Sequence, residues 1–245
     1  MRIAEPGKVE PVTGSPPPSP AAIVRRLDQE QHELLRAIRR WNTSLPPPSL
    51  VVRLADSEQE TLRSVALEPS VSAAVARLAP QWRDDLAARA DLSALARVSP
   101  PARGRPRITA PRPAARLLAW YLDGQRRFGI RWQLLAAINF VETAFGKVEN
   151  TSGAGAQGPM QFEPATWKEY GLGGNIDNPR DAILAAANYI AANGGRHDER
   201  TALYRYNPSA LYVDAVLRYA DRMRSSVGAF YTYYCWRVYF HAARR

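Results

Sequence analysis

Cys235 is the only cysteine in the chain, so no disulfide can form within it and no cysteine cluster can hold a metal. Histidine is almost as scarce. His32, His197 and His241 lie far apart, and no H-E-x-x-H or G-x-S-x-G supports a zinc site or a serine triad. No metal and no cofactor is expected. No apolar run approaches the ~20 residues of a membrane span. The opening MRIAEPGKVEPVTGSPPPSP lacks the continuous apolar stretch of a secretory signal. Runs of alternating apolar and polar residues, the mark of half-buried strands, are also missing.

What remains is basic and globular in composition. At 46% hydrophobic the chain can bury a real core, and its net charge of +10 is spread over both halves rather than gathered in a tail. Such charge favours polyanionic partners, whether nucleic acid, anionic lipid or an anionic cell-wall polymer, without choosing among them. No nucleic-acid-binding module is recognisable. A monomer without a membrane span is expected.

Residues 1–20 read as a disordered, proline-rich lead. A helical region follows over 21–98. Its first stripe, Val24, Leu27, Leu34, Ile38 and Trp41, suits a docking helix, and Ser57 with Glu60 offers a capping box for a second. A third stretch uses Val71, Val75, Leu78, Trp82 and Leu86, with Pro80 kinking or splitting it. SPPARGRPRITAPRP, residues 99–113, reads as an extended, solvated linker and domain boundary. From 114 to 224 the pattern is helical, and an aromatic C-terminal helix is expected over 225–245. The segment from Trp132 to Phe145 is apolar on nearly every face and so central. Asn178-Pro179-Arg180-Asp181 reads as a helix start and Gly129 as a stop.

Two stretches bear on chemistry. GAGAQG, Gly153 to Gly158, matches G-x-G-x-x-G, but a helix precedes it where the dinucleotide motif needs a strand. Its glycines are better explained by close backbone approach. In AAINFVETAFG, Glu142 stands among apolar and small residues, with Ile138, Asn139, Phe145 and Gly146 at helical spacing. A carboxyl there is costly to ionise. It is either a core acid bonded to a neighbouring helix start or an acid held protonated for donation, as glycoside chemistry requires. Gln161 and Tyr206-Asn207 would suit a polar sugar cleft.

From Leu134 to Tyr219 the chain resembles the soluble lytic transglycosylase (SLT) domain, the lysozyme-like fold shared with goose-type lysozyme. Four landmarks stand in order: Glu142-Thr143, where the family has its catalytic Glu-Ser pair; Ser152 followed by GAQGPMQ, ending at Gln161; Pro164-Ala165-Thr166-Trp167; and Tyr206-Asn207 with Tyr212-Val213. The wording is most similar to actinobacterial members.

The resemblance implies a mainly α, lysozyme-like catalytic domain acting on peptidoglycan glycan strands at the cell envelope. There Glu142 serves as acid and then base while the muramyl C6 hydroxyl closes a 1,6-anhydro ring. It also implies that Gln161 bonds the sugar, Ser152 steadies the cleft loop, Met160 lies at the substrate, and Tyr206 with Asn207 orients Glu142 or an N-acetyl group.

Glu163 and Arg205 depart from the family pattern and, being opposite in charge, are expected to pair with each other. A muramidase using Glu163 or Asp177 to activate water, and a non-catalytic wall-binding protein, are the alternatives. Trp167, Tyr170 and Tyr189 are candidates for stacking on sugars, with core packing expected for at least two.

Overall fold

A computed structural model describes residues 17–100 and 102–239. Most of the 1–20 lead, Pro101 and residues 240–245, His241 among them, lie outside the described residues.

Helix α1 (Pro20–Ile38) starts where Ser19 accepts a hydrogen bond from the Ala22 amide, with Pro20 supplying the fixed φ of a first turn. It buries Ile23, Leu27, Leu34 and Ile38. Helix α2 (Ser49–Ala66) starts directly after Pro48, not at Ser57 as the capping box suggested. Its apolar stripe of Val51, Ala55, Leu62 and Val65 runs straight through Ser57, whose hydroxyl instead donates to Glu30 Oε1 at 2.6 Å. Pro80 splits the third stretch: α3 (Pro69–Leu78) and α4 (Arg83–Val98) flank a 3₁₀ turn at Pro80–Trp82.

The 99–113 segment is more than a linker. Arg103–Ile108 forms strand β1, antiparallel to β2 (Val148–Thr151), with Arg103 opposite Thr151 and Arg107 opposite Glu149. An Arg107–Glu149 ion pair crosses the two strands. Neither strand has a buried face, so neither carries the alternation that would announce it.

Seven more helices follow among the described residues: α5 (Ala114–Phe128), α6 (Trp132–Thr143), α7 (Pro164–Tyr170), α8 (Pro179–Ala192), α9 (Glu199–Tyr206), α10 (Ala210–Ser225) and α11 (Val227–Cys235). Gly129 ends α5 in the left-handed conformation at φ 72°. The Asn178 side chain caps α8, accepting from the Arg180 amide at 3.0 Å. The expected C-terminal helix is short, stopping at Cys235, which is buried as a small core side chain.

Helix α6 is central, with Leu134 to Asn139 all buried, and it packs against α5, α8, α10 and α11. The N-terminal helices are not set apart from it. Helix α4 lies along α10, α1 and α2 touch α11, and one hydrophobic cluster runs from Ile23 to Trp236. Its polar seam is Asp85, fully enclosed, bonded by Arg222 at 3.0 Å and by the Tyr233 hydroxyl. The regions on either side of 99–113 therefore share a core. Truncating a buried leucine at this junction, such as Leu62 or Leu86, costs about 2–5 kcal/mol.

Candidate active site

Glu142 is the penultimate residue of α6, and the way that helix ends decides where its side chain goes. Ala144, Phe145 and Gly146 follow in the left-handed region, at φ 51°, 66° and 79°. For Ala144 and Phe145 this costs about 1–2 kcal/mol each. Burial of Phe145 offsets the cost: the ring is 1% exposed, 5.3 Å from Phe140 and 5.5 Å from Phe230. The turn is then tied to the glycine-containing loop that follows β2. The Thr143 hydroxyl donates to the Pro159 carbonyl at 2.6 Å and accepts from the Gly146 amide at 3.0 Å. Asn139 Nδ2 donates to the same carbonyl at 2.7 Å, and its Oδ1 accepts from the Tyr121 hydroxyl at 2.6 Å.

That loop forms one wall of a groove of about 470 Å³ with Glu142 at its floor. Ser152 closes the loop on itself, its hydroxyl accepting from the Ala156 amide at 2.9 Å. Gly158, at φ 71°, passes so close to Ile176 that an added Cβ would sit 2.1 Å from the Ile176 carbonyl oxygen. Close approach, not cofactor binding, is what this glycine serves. Gln161 is left-handed as well, at φ 50°, and its Nε2 donates to the carbonyls of Gly158 at 3.0 Å and Asn150 at 3.3 Å. These bonds fix the amide at the groove wall.

Of the six candidate site residues, Glu142, Ser152, Gln161, Tyr206 and Asn207 line this one groove. Met160 does not. Its side chain is 0% exposed in the core, because the turn that brings Gln161 outward sends the preceding residue in. Only its carbonyl takes part, accepting from the Tyr206 hydroxyl at 2.5 Å.

Through that bond Tyr206 braces the loop, and its hydroxyl makes no hydrogen bond to Glu142. The residue bonded to Glu142 is Tyr212, whose hydroxyl donates to Oε1 at 2.7 Å. Tyr212 sits in the first turn of α10, capped by Ser209, while Asn207 ends α9 and caps no helix start. In the sequence Tyr212 shared a stripe with Leu211, Ala215, Val216 and Tyr219. Its pairing with Val213 among the landmarks was the available signal for something more.

Aromatic side chains also line the groove. Phe162, Tyr189 and Tyr206 pack edge to face, with Tyr189 and Tyr206 centroids 5.3 Å apart. Trp167 packs on Phe162 and Tyr170 on Tyr189, and Tyr189 is the one of the three stacking candidates that borders the groove. Glu163 and Arg205 also border it, both exposed, but the expected ion pair between them is not formed. Arg205 leans on Asn193 Oδ1 at 3.3 Å instead. Each is solvated well enough to stand alone, so proximity in the groove brings no pairing. Asp177 lies elsewhere, in a separate cavity with Arg107 and Glu149.

Burial pushes the Glu142 carboxyl up to about 7, and the Tyr212 hydrogen bond, which favours the ionised form, only partly opposes this. No charged residue contributes to the shift. The nearby end of α6 acts in the same direction as burial, since a helix C-terminus disfavours negative charge. The group is thus an acid protonated over much of its population near neutral pH, with a polar groove above it.

A family model described as Transglycosylase SLT domain matches residues 122–225, a span that runs from α5 to the end of α10 and contains every residue of the groove. The mainly helical architecture agrees with a lysozyme-like SLT domain, and the match supports an enzyme of the transglycosylase kind. No curated protein and no solved structure matches the chain.

Proposed function

We propose that the protein is a peptidoglycan lytic transglycosylase that cleaves the bond between N-acetylmuramic acid and N-acetylglucosamine and leaves 1,6-anhydromuramyl ends. The observation that carries this reading is the setting of Glu142: a carboxyl raised to about 7 by burial at the floor of a groove and bonded by Tyr212, while the groove's other carboxylate, Glu163, is exposed and has no part in that shift. Hydrolysis by a carboxylate pair requires the two groups to face each other across the scissile bond. One acid suffices when the substrate brings its own nucleophile.

In this mechanism protonated Glu142 donates to the glycosidic oxygen as the bond to muramyl C1 breaks. The resulting carboxylate, still held by Tyr212, takes the proton of the muramyl C6 hydroxyl as its oxygen attacks C1. The proton lost in the first step is regained in the second, and no water is consumed. Gln161 and Asn207 offer amide groups to the N-acetylated sugars, Ser152 keeps the loop closed, and Tyr206 braces it.

Acting on the wall places the protein at the cell envelope, and peptidoglycan strands are its partner; it works as a monomer without metal or cofactor. No helix of the described residues is long and apolar enough to cross a membrane. Digestion of purified peptidoglycan by the full chain, with Glu142→Gln alongside, tests the proposal. Soluble anhydromuropeptides are expected from the parent, and a loss of about 10²-fold or more in rate from the variant. Full activity in Glu142→Gln refutes the assignment.

A further inference from the structure

Three arginines and no carboxylate border a second pocket, of about 430 Å³, which shares no residue with the groove. It lies where the N-terminal helices meet the 122–225 domain. Helix α2 supplies Arg63, α4 Arg89, α6 Phe140, α10 Tyr219, and the segment after α11 Trp236 and Arg237.

The three guanidinium groups are not equivalent. Arg237 pairs with Asp56, so its charge is met within the protein. Arg63 and Arg89 join no ion pair among the described residues. Asp85 lies one turn before Arg89 on α4, but its oxygens are taken, one by Arg222 and one by the Tyr233 hydroxyl. Arg89 Nε and Nη2 are enclosed without a hydrogen-bond partner, and a buried cation left in that state is costly.

What both arginines do have is a ring. The guanidinium carbon of Arg89 lies 4.5 Å from the centre of the Trp236 ring, and that of Arg63 lies 3.5 Å from the Tyr239 ring. Stacking holds a guanidinium by its face and leaves its N–H edge for bonds in its own plane, the geometry in which arginine grips a phosphate. Leu67, Leu92, Phe140 and Tyr219 add an apolar bed, and the volume is that of a small-molecule site.

Charge and shape together define an occupant. Two uncompensated guanidinium groups match the charge of about −2 on a phosphate monoester, where a carboxylate would satisfy only one. The apolar bed suits a ring attached to that phosphate. We propose that this pocket binds an aromatic phosphate monoester of mononucleotide size, its phosphate on Arg63 and Arg89 and its ring against Leu92, Phe140 and Tyr219. The site goes beyond the transglycosylase reading and does not depend on it. Its ligand bridges α2 and α4 to α6 and α10, and so ties the N-terminal helices to the domain that carries Glu142.

The test is calorimetric titration of the full chain with phenyl phosphate and with adenosine monophosphate, against inorganic phosphate and adenosine, which carry the head or the ring alone. One site per chain is expected, with at least one aromatic phosphate binding ~10-fold or more tighter than either part alone. Which of the two binds tighter separates a nucleotide site from one for a simpler aryl phosphate. Arg63→Gln and Arg89→Gln should each weaken that binding by ~5-fold or more. Arg97→Gln, exposed on α4 and not part of the pocket, should leave it unchanged. Should Arg89→Gln fail to fold, Arg63→Gln, at a half-buried position, carries the test. The same change of affinity in all three variants, or none in any, shows diffuse attraction to a basic chain and overturns the site. So does binding no tighter than that of inorganic phosphate, or none that saturates. Cleavage of peptidoglycan is tested separately by Glu142→Gln and stands or falls without this pocket.

Discussion

Replacing Glu142 by glutamine should change how the stability of the protein depends on pH, in a direction set by burial alone. In the unfolded chain this carboxyl titrates near 4.5, and in the folded protein near 7. Below about pH 4.5 it is protonated in both states and adds no pH dependence. Between the two values the unfolded chain gives up its proton while the folded one keeps it, so stability falls as pH rises, and above about 7 the whole penalty is present. At ~1.4 kcal/mol per unit, a rise from about 4.5 to about 7 amounts to ~3 kcal/mol, an upper figure for a side chain that keeps some contact with the groove.

Glutamine matches the shape, can still accept from the Tyr212 hydroxyl, and does not titrate. Glu142→Gln should therefore gain on the parent by up to ~3 kcal/mol between pH 4 and pH 8, read as a Tm difference that widens by ~2–4 °C for each kcal/mol. Taking the difference between the two proteins at each pH cancels every other titrating group, including buried Glu58, which burial pushes up to about 8. A Tm difference that stays constant from pH 4 to pH 8 would refute the claim that Glu142 is held protonated by its surroundings.

Activity should follow the same proton: kcat/KM is expected to fall as pH rises through about 7, where the acid is lost. Tyr212→Phe removes the one contact that favours ionised Glu142, so the alkaline limb of that profile should move up by about one unit while kcat drops; an unmoved limb would mean the hydrogen bond does not tune the acid. Glu163→Leu should leave the anhydro product unchanged, with a smaller rate loss than Glu142→Gln, and a switch in product chemistry would bring Glu163 into the reaction. Gly158→Ala should destabilise the loop by well over 1 kcal/mol, seen as a lower Tm and lost activity, since its Cβ would meet the Ile176 carbonyl at 2.1 Å.

Much of this was legible in the sequence because the signals were local. The cap at Asn178, the stop at Gly129 and the apolar neighbours of Glu142 each depend on a few nearby residues. What was not legible depends on residues distant in sequence. Strands β1 and β2 have no buried face and are held by pairing between segments some forty residues apart, which leaves no periodic mark in either. Tyr212 lies on a stripe of α10 that looks like ordinary packing, and only the crossing of α6 by α10 brings its hydroxyl to Glu142, seventy positions away. Met160 and Gln161 are adjacent, yet one is core and the other groove, because Gln161 adopts a left-handed φ that no propensity forecasts for glutamine. The failed Glu163–Arg205 pair has a similar lesson: opposite charges in one groove imply neither contact nor mutual neutralisation.

The central claim is that Glu142 works alone and the substrate supplies the nucleophile. It is tested most directly by digesting purified peptidoglycan in water enriched in oxygen-18 and weighing the muropeptides released. The account predicts products one water lighter than their reducing counterparts, with no heavy oxygen at muramyl C1. Reducing muramyl ends carrying oxygen-18 as the main product would contradict it and establish that water, activated by some second group, completes the reaction.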